Sequence, residues 1–301
     1  MHDVAIIGAG PAGITAAVYA ARKRLDVVII TKDIGGQTAW SGDIENYTGY
    51  QFVSGPELVG KFEDHLKNHN VKLTEGQEVL SIDVDGNVFN IYSDKSKYTA
   101  RSVIIASGKR SKELGVPGEK EFRNKGLTYC ATCDGPLFSG KDVAVIGGGN
   151  SALDAGLQMV KIARHVYLLN NSNDLTGDKI MQDRLKMNKN LTVVNDASCG
   201  SIMGDKMVNG LTYKVIGDEN HKKIDVQGVF VEIGLIPNSG FKIDIQKNKN
   251  KEIVVDAYNR TNIKGIFAAG DVTNVPEKQI IIAAGEGAKA AIQAFKYVTL
   301  N

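Results

Sequence analysis

The chain has 301 residues, 43% of them apolar and 23% charged, with a formal net charge of +2. That balance excludes a nucleic-acid or polyanion binder as the default, although an acidic protein partner could still dock on a local basic patch. The length suggests about two domains of ordinary size. Three cysteines with one close pair exclude a disulfide framework and fit a reducing, cytoplasmic setting.

In chain order, Val4 to Ala21 is apolar enough to imitate a signal peptide or a membrane span. It lacks a positive n-region, and Gly8, Gly10, Pro11 and Gly13 interrupt it after one strand length. No other run is long enough to cross a bilayer, so a soluble chain without membrane attachment is expected. The segment reads instead as a βαβ unit. Val4 to Ile7 is a buried strand, Gly8-x-Gly10-x-x-Gly13 a tight turn, Ile14 to Arg22 a helix and Val27 to Ile30 a second strand. The glycines let the backbone approach a pyrophosphate seated on the helix N-terminus. Alone the glycine pattern is weak evidence; the strand before it and the helix after it supply the context it needs.

Leu58 to Asn68 reads as an amphipathic helix. Its His65 and His69 stand at i, i+4, but with no third ligand in view they read as a solvated face, and no metal is expected. Val79 to Val84 and Val88 to Tyr92 flank Asp85-Gly86-Asn87 as a hairpin, and Ser102 to Ala106 is another buried strand. Two Gly/Pro-marked segments read as hinges, Leu114-Gly115-Val116-Pro117-Gly118 and Gly234-Leu235-Ile236-Pro237-Asn238.

Between the hinges lies Tyr129-Cys130-Ala131-Thr132-Cys133-Asp134-Gly135, with two of the three cysteines. A Cys-x-x-Cys pair can cycle between dithiol and disulfide, and one of its thiols usually has a lowered pKa. Asp134 could pass the proton that the exchange must move. The other reading is half of a structural zinc site. Such a site needs four ligands, usually two pairs, and the only other cysteine is the distant Cys199, so redox chemistry is favoured.

The first unit then recurs. Asp3 to Thr31 aligns without a gap on Asp142 to Asn170, an offset of 142 − 3 = 139. Gly8, Gly10 and Gly13 map to Gly147, Gly149 and Ala152, and Ala is allowed at the third position. Two such units imply two domains and two cofactors, unless the second keeps only the fold. The expected class is α/β, with two Rossmann-like dinucleotide-binding domains, the second inserted in the first. Residues 1–114 and 239–301 would form the discontinuous outer domain and 115–238 the inserted one. Near the end, Gly265-Ile266-Phe267-Ala268-Ala269-Gly270-Asp271 is a strand whose Asp271 could hold sugar hydroxyls, or equally be a turn residue or cap. Gly285-Glu286-Gly287 is read as opening the final helix, with its amides free to face a ring edge or anion.

Together these residues resemble the low-molecular-weight thioredoxin reductases, and equally the flavoprotein subunit of alkyl hydroperoxide reductase. The matching motifs are Gly8-Ala-Gly-Pro-Ala-Gly13, Gly35-Gly36-Gln37, Ile44-Glu45-Asn46-Tyr47, Ala106-Ser107-Gly108, Cys130-Ala-Thr-Cys133-Asp134-Gly135-Pro136, Gly147-Gly-Gly-Asn-Ser-Ala152 and Gly270-Asp271 with Gln279. They span nearly the whole chain in the family's order. The resemblance implies FAD on the outer domain. Gly8, Gly10, Pro11, Ala12 and Gly13 would hold the pyrophosphate, Asp271 the ribityl chain, and Gln37, Asn46 and Gln279 the surroundings of the ring, with Gly36, Ala106, Gly108, Gly270 and Ile280 also binding the cofactor. It further implies that Cys133 faces the flavin, that Cys130 attacks a protein disulfide, and that Asp134 is the acid and base. The first strand starts at the N-terminus, so the extra N-terminal domain of the peroxide-reductase flavoprotein is expected to be absent.

The second repeat departs from the family. Its second strand should end in a carboxylate for an NAD ribose, or in basic residues for the 2′-phosphate of NADP. Here Val166-Tyr167-Leu168-Leu169 is followed by Asn170-Asn171-Ser172-Asn173-Asp174, with no basic cluster before Lys179. Gly147, Gly149, Asn150, Ala152 and Asn170 thus outline a site that is intact in its turn and vestigial at its ribose end. A few relatives of this type, the ferredoxin-dependent flavin thioredoxin reductases, dispense with pyridine nucleotide. The expected function is an FAD enzyme that reduces thioredoxin or a similar small disulfide protein, with reduced ferredoxin and not NADPH as donor. The alternatives are an NADH-dependent reductase feeding a glutaredoxin-like or peroxidase partner, and a non-catalytic flavoprotein redox sensor. The expected assembly is a homodimer.

Overall fold

The computed structural model describes every residue except Ser41, Gly42, Glu45, Asn70, Cys130, Glu219 and Asn301, and only the backbone of Trp40, Asp43, Thr132 and Cys133. The chain begins with β1 (His2–Ala9), α1 (Pro11–Arg22), β2 (Val27–Ile34), β3 (Asp43–Ile44), β4 (Val53–Ser54), α2 (Gly55–Lys67), β5 (Lys72–Thr74), β6 (Val79–Asp85), β7 (Val88–Ser93) and β8 (Lys97–Ile105). After β9 (Lys109–Ser111) come β10 (Leu127–Thr128), α3 (Ala131–Asp134), β11 (Asp142–Ile146), α4 (Asn150–Ile162), β12 (His165–Leu169), α5 (Lys179–Lys186) and β13 (Leu191–Val194). Then follow β14 (Ala197–Gly204), β15 (Val208–Val215), β16 (Lys222–Ile224), β17 (Gly228–Val231), β18 (Leu235–Pro237), β19 (Ile266–Ala268) and α6 (Ile280–Leu300). Two compact units result, one of residues 1–110 with 236–301 and one of residues 111–235. Strands β9 and β18, where the chain passes from one to the other and back, pair as a two-stranded ribbon.

In the discontinuous unit the sheet runs β5-β2-β1-β8-β7-β6, with β19 also against β8. The pairs β1–β2, β1–β8, β2–β5 and β8–β19 are parallel, and β6–β7–β8 is antiparallel. Strands covered on both faces need apolar residues at every position, which explains the unbroken runs in β1 and β2. Val4, Ile6, Ile29 and Ile104 pack with α1 and α6, whereas Ala5, Ile7, Val28 and Ile105 pack with Phe89, Ile91 and Ile253. Helices α1 and α6 approach closely: a Cβ on Gly287 would lie 2.0 Å from the Ala12 carbonyl oxygen.

The inserted unit has an all-parallel sheet, β10-β17-β11-β12-β13. On one face Val143, Val145, Leu168 and Phe230 pack against Leu153 and Met159 of α4; on the other, Ala144 and Ile146 pack with Ile202 and Leu211 of the antiparallel sheet β14-β15-β16. The internal repeat is visible directly, since α1 begins at Pro11 and α4 at Asn150, again 150 − 11 = 139 apart. Among the described residues no helix is long and apolar enough to cross a membrane.

Several boundaries differ from the sequence expectation. Helix α1 starts at Pro11, not Ile14, because proline's missing N–H costs nothing at a first helical turn. Helix α2 starts at Gly55, because the Ser54 hydroxyl accepts the Glu57 N–H at 3.3 Å and Pro56 follows. The hairpin turn is shorter by one residue, since Asp85 pairs with Val88 and Gly86 takes φ +59°. Helix α6 opens at Ile280, so Gly285-Glu286-Gly287 lies one turn inside it and its amides are not free ends. The segment Leu114 to Gly118 is bonded into the inserted unit: Ile202 N–H donates to the Pro117 carbonyl at 2.9 Å.

Candidate active site

The first glycine turn is built around backbone contacts. Gly8 has φ +102° and a Cβ there would lie 2.4 Å from the Ala106 carbonyl, while one on Gly13 would lie 1.9 Å from the Gly8 carbonyl. Gly10 differs, with no atom closer than Gly35 O at 3.9 Å. It is the helix N-cap, and no side chain caps α1. The strand-to-helix turn therefore presents bare backbone and unfilled amides, as a pyrophosphate requires. Thr31 occupies the place of a ribose-binding acid at the end of β2. It is buried, and its hydroxyl accepts the Ala9 N–H at 3.2 Å.

The same unit brings together four more of the expected residues. Gln37 Nε2 donates to Asp271 Oδ2 at 3.4 Å, and Asn46 Nδ2 to Gln279 Oε1 at 3.1 Å. Burial pushes the Asp271 carboxyl above its usual range, against the pull of Lys278 and Lys109. Gly270 has φ +76°, and its N–H donates to Glu286 Oε2 at 2.8 Å. Glu286 is thus a buried clamp and not a helix-opening residue, a role that Gly-Glu-Gly by itself does not signal. Gly108, at φ +64°, accepts the Asn238 N–H at 2.9 Å beside Ala106. Ile280 packs at the edge of the Ile44, Val53 and Leu58 cluster. A charged group went unread in the sequence: Lys109 Nζ lies 2.7 Å and Lys278 Nζ 3.4 Å from Glu252 Oε1.

Of the cysteine segment, Cys130 lies outside the described residues and Cys133 is placed by its backbone alone, in α3. Asp134 ends that helix, half-buried, and Gly135 fits under Met159, whose sulfur a Cβ would approach to 3.1 Å. Two glutamates that the sequence reading did not single out bracket the pair. Glu119, 2% exposed, accepts the Leu114 N–H, the Gly115 N–H and the Tyr129 hydroxyl at 2.7, 2.7 and 2.8 Å. Glu232, just past β17, accepts the N–H of Ala131, and burial pushes its carboxyl up to about 7. Cys199 is a free thiol, pushed up to about 12 by burial and by Glu119, and so is no thiolate at neutral pH. Among the described residues no cluster of three or more metal ligands occurs.

The second turn repeats the geometry of the first. Gly147 has φ +143°, a Cβ on it would lie 2.2 Å from the Glu232 carbonyl, and no side chain caps α4 at Gly149. Ala152, fully buried, stands where Gly13 stands in the first repeat, and a Cβ on Gly147 would lie 2.9 Å from its methyl. Asn150 Oδ1 accepts the Asp178 N–H at 2.6 Å. Asn170 is 1% exposed and its carboxamide is committed inward: Nδ2 donates to Ser172 O at 2.8 Å and to Asn195 Oδ1 at 3.1 Å, and Oδ1 lies over Gly148.

Residues 2–288 match the family Pyridine nucleotide-disulphide oxidoreductase. The chain is 42% identical over 301 residues to an NADH dehydrogenase of Ferdinandcohnia aciditolerans and 42% identical over 305 residues to a subunit of the Escherichia coli alkyl hydroperoxide reductase. Each alignment covers 99% of this chain, which spans 58% of the length of either relative. The structure is similar to that of Lactococcus lactis thioredoxin reductase, at a TM-score of 0.85 and 34% identity, covering 100% of both chains.

Two α/β units, each with a strand, a glycine turn and an uncapped helix, make a pair of dinucleotide-binding folds. The chain belongs to the pyridine nucleotide-disulphide oxidoreductase family, whose enzymes are FAD flavoproteins, and FAD is its cofactor. The uncapped α1 and the open space at Gly10 fit the cofactor's pyrophosphate.

Proposed function

We propose that the chain is the catalytic core of a disulfide reductase that passes electrons from FAD through Cys133 and Cys130 to thioredoxin or a similar small disulfide protein, as a soluble homodimer. Gly8 to Gly13 hold the pyrophosphate on the amides of α1, Asp271 takes the ribityl hydroxyls, and Gln37, Asn46, Gln279 and Ile280 surround the ring. Bound FAD supplies the electron pair that opens the Cys130–Cys133 disulfide. The Cys130 thiolate then attacks the partner's disulfide, forming a mixed disulfide and releasing one partner thiolate. Cys133 attacks Cys130, releases the second partner sulfur and restores the disulfide, while Asp134 moves the protons. The outer unit is the FAD domain and the inserted unit the one that carries the cysteine pair. Undiminished disulfide reduction by a Cys133→Ser protein would sink this assignment.

The donor we place first is reduced ferredoxin, with NADPH excluded. The observation that supports it is Asn170, whose carboxamide is bonded to Ser172 and Asn195 where an acid would hold a ribose. NADH is the second reading, favoured by the uncapped turn of α4 and by the relatives that carry NADH dehydrogenase in their name. Anaerobic addition of NADH, NADPH and reduced ferredoxin in turn, following the bleaching of the yellow flavin, decides between them.

A further inference from the structure

We infer that Lys109 and Lys278, gathered on one oxygen of Glu252, are positioning residues that keep Asp271 a carboxylate for FAD. The inference rests on the placing of Asp271 at the cofactor proposed above.

The geometry comes first. Lys109 Nζ lies 2.7 Å and Lys278 Nζ 3.4 Å from the same atom, Glu252 Oε1. Asn248 Nδ2 donates to the other oxygen, Oε2, at 2.7 Å, and Lys278 Nζ also donates to the Thr273 carbonyl at 2.6 Å. Ile253 N–H donates to the Val272 carbonyl at 2.9 Å, and Thr273 N–H to the Gly270 carbonyl at 3.0 Å. Glu252 therefore runs beside the turn that carries Asp271, and Lys278 is clasped to the end of that turn. All of these residues belong to the discontinuous unit.

The charge count follows from this geometry. The side chains of Lys109, Glu252 and Lys278 are 12%, 11% and 19% exposed. Two ammonium groups on one carboxylate leave a surplus positive charge, and a charge taken out of water needs a partner. Asp271, half-buried beside them, is the carboxyl group that answers it. Burial pushes Asp271 up. Lys278 from the lead-in to α6, Lys109 from β9 and Gln37 from the short helix after β2 pull it down, and Glu252 from the loop before β19 pushes it up. Glu286 of α6 faces the same turn through the Gly270 N–H. An ionised carboxylate offers acceptors alone, and its bonds to sugar hydroxyls are charge-assisted; a protonated one loses both advantages.

Glu252 thus acts in two senses at once. It holds the lysines in place, and its own charge opposes that of Asp271. Removing a lysine and removing the Glu252 charge should therefore move the Asp271 titration in opposite directions, which a scaffold role would not do.

The test uses the full chain, stripped of FAD and titrated back with FAD from pH 4 to pH 9 while the flavin fluorescence is followed. Wild-type affinity should fall on the acid side as Asp271 takes up a proton. In Lys109→Met and Lys278→Met, which keep the buried stem, this limb should begin about one unit higher in pH. Binding on the limb is then about tenfold weaker than wild type at the same pH, and the profiles meet at pH 9. Lys109→Arg keeps the charge and should restore the wild-type limb. Glu252→Gln, whose side-chain carbonyl can still accept both lysines, should hold its affinity to lower pH than wild type. A loss equal at every pH, a Glu252→Gln limb that moves with those of the Met proteins, or an Arg protein that behaves like Met would each overturn the inference. Asp271→Asn should bind about tenfold more weakly at pH 9. Undiminished FAD affinity in that variant would overturn the placing of Asp271 and the inference with it. Weak binding by Asp271→Asn beside unmoved lysine profiles would overturn the inference alone.

Discussion

Tyr129 donates its hydroxyl to Glu119 at 2.8 Å from the position directly before Cys130. The same carboxyl group accepts the Leu114 and Gly115 N–H groups, so one buried side chain ties the entry of the inserted unit to the lead-in of the redox segment. Replacing it leaves two backbone donors and a phenol short of an acceptor. Glu119→Ala is expected to destabilise the inserted unit by about 3–6 kcal/mol, at roughly 1–2 kcal/mol for each of the three donors left without its partner. Tyr129→Phe removes only the donor and should cost about 1 kcal/mol. Urea unfolding of both variants measures the difference; equal effects would show that the phenol, and not the backbone pair, is what Glu119 serves.

The glycine turn separates fold from cofactor. A Cβ on Gly13 would sit 1.9 Å from the Gly8 carbonyl, so Gly13→Ala forces the backbone apart and should cost about 3 kcal/mol or more. A Cβ on Gly10 meets no atom closer than 3.9 Å and the backbone there is extended, so Gly10→Ala should unfold at the wild-type urea concentration. It should nevertheless weaken FAD binding at least tenfold, because the methyl would stand where the backbone must approach a pyrophosphate. Titration of the apoprotein with FAD checks this, and unchanged affinity would place the pyrophosphate elsewhere.

Much of this site is legible in the sequence, for a physical reason. Gly13 is dictated by the nearby Gly8 carbonyl, Gly8 and Gly147 by the positive φ of a strand-to-helix turn, and Cys130-x-x-Cys133 by ring closure, so short spacings carry them. The 139-residue offset survives because both units need the same strand, turn and helix. Glu119, Glu232 and Glu286 leave no such trace. Each is one glutamate among the 34 acidic residues, and its meaning comes from a backbone N–H that only the folded chain brings to it. Asn170 shows the opposite limit: the sequence identifies the position but not that its carboxamide is turned inward.

That inward turn bears on the donor. NADPH at millimolar concentration is expected not to reduce the flavin. Each charge-assisted bond to a 2′-phosphate contributes roughly 1.5–3 kcal/mol, and losing two weakens binding by roughly a hundredfold or more. No basic residue follows β12 before Lys179. Asn170→Glu is expected not to create an NADH site. It removes the donors to Ser172 and Asn195 and buries a charge at a 1%-exposed position, so it should destabilise the unit by about 3 kcal/mol. A gain in NADH-driven flavin bleaching in this variant, with stability intact, would show that the ribose end is open.

The last prediction is a stability profile. Glu232 is raised from its ordinary value of 4.5 to about 7, chiefly by burial. In the unfolded chain it loses its proton near pH 4.5, while in the folded chain it keeps it until about pH 7. Between those values the folded state binds more protons than the unfolded state, so the stability Glu232 contributes is complete below pH 4.5 and is lost as pH rises to about 7. A shift of about 2.5 units corresponds to up to about 3 kcal/mol. Glu232→Gln has no proton to lose. Its stability should differ from wild type by an amount that shifts in the variant's favour by up to about 3 kcal/mol from pH 4.5 to pH 8, and then stays level. Urea midpoints for the two proteins across that range give the difference directly, with every other titrating group cancelling between them. A difference that stays constant with pH would mean that Glu232 titrates alike in the folded and unfolded chains, and one that moves the other way would mean that a cation holds it ionised in the fold.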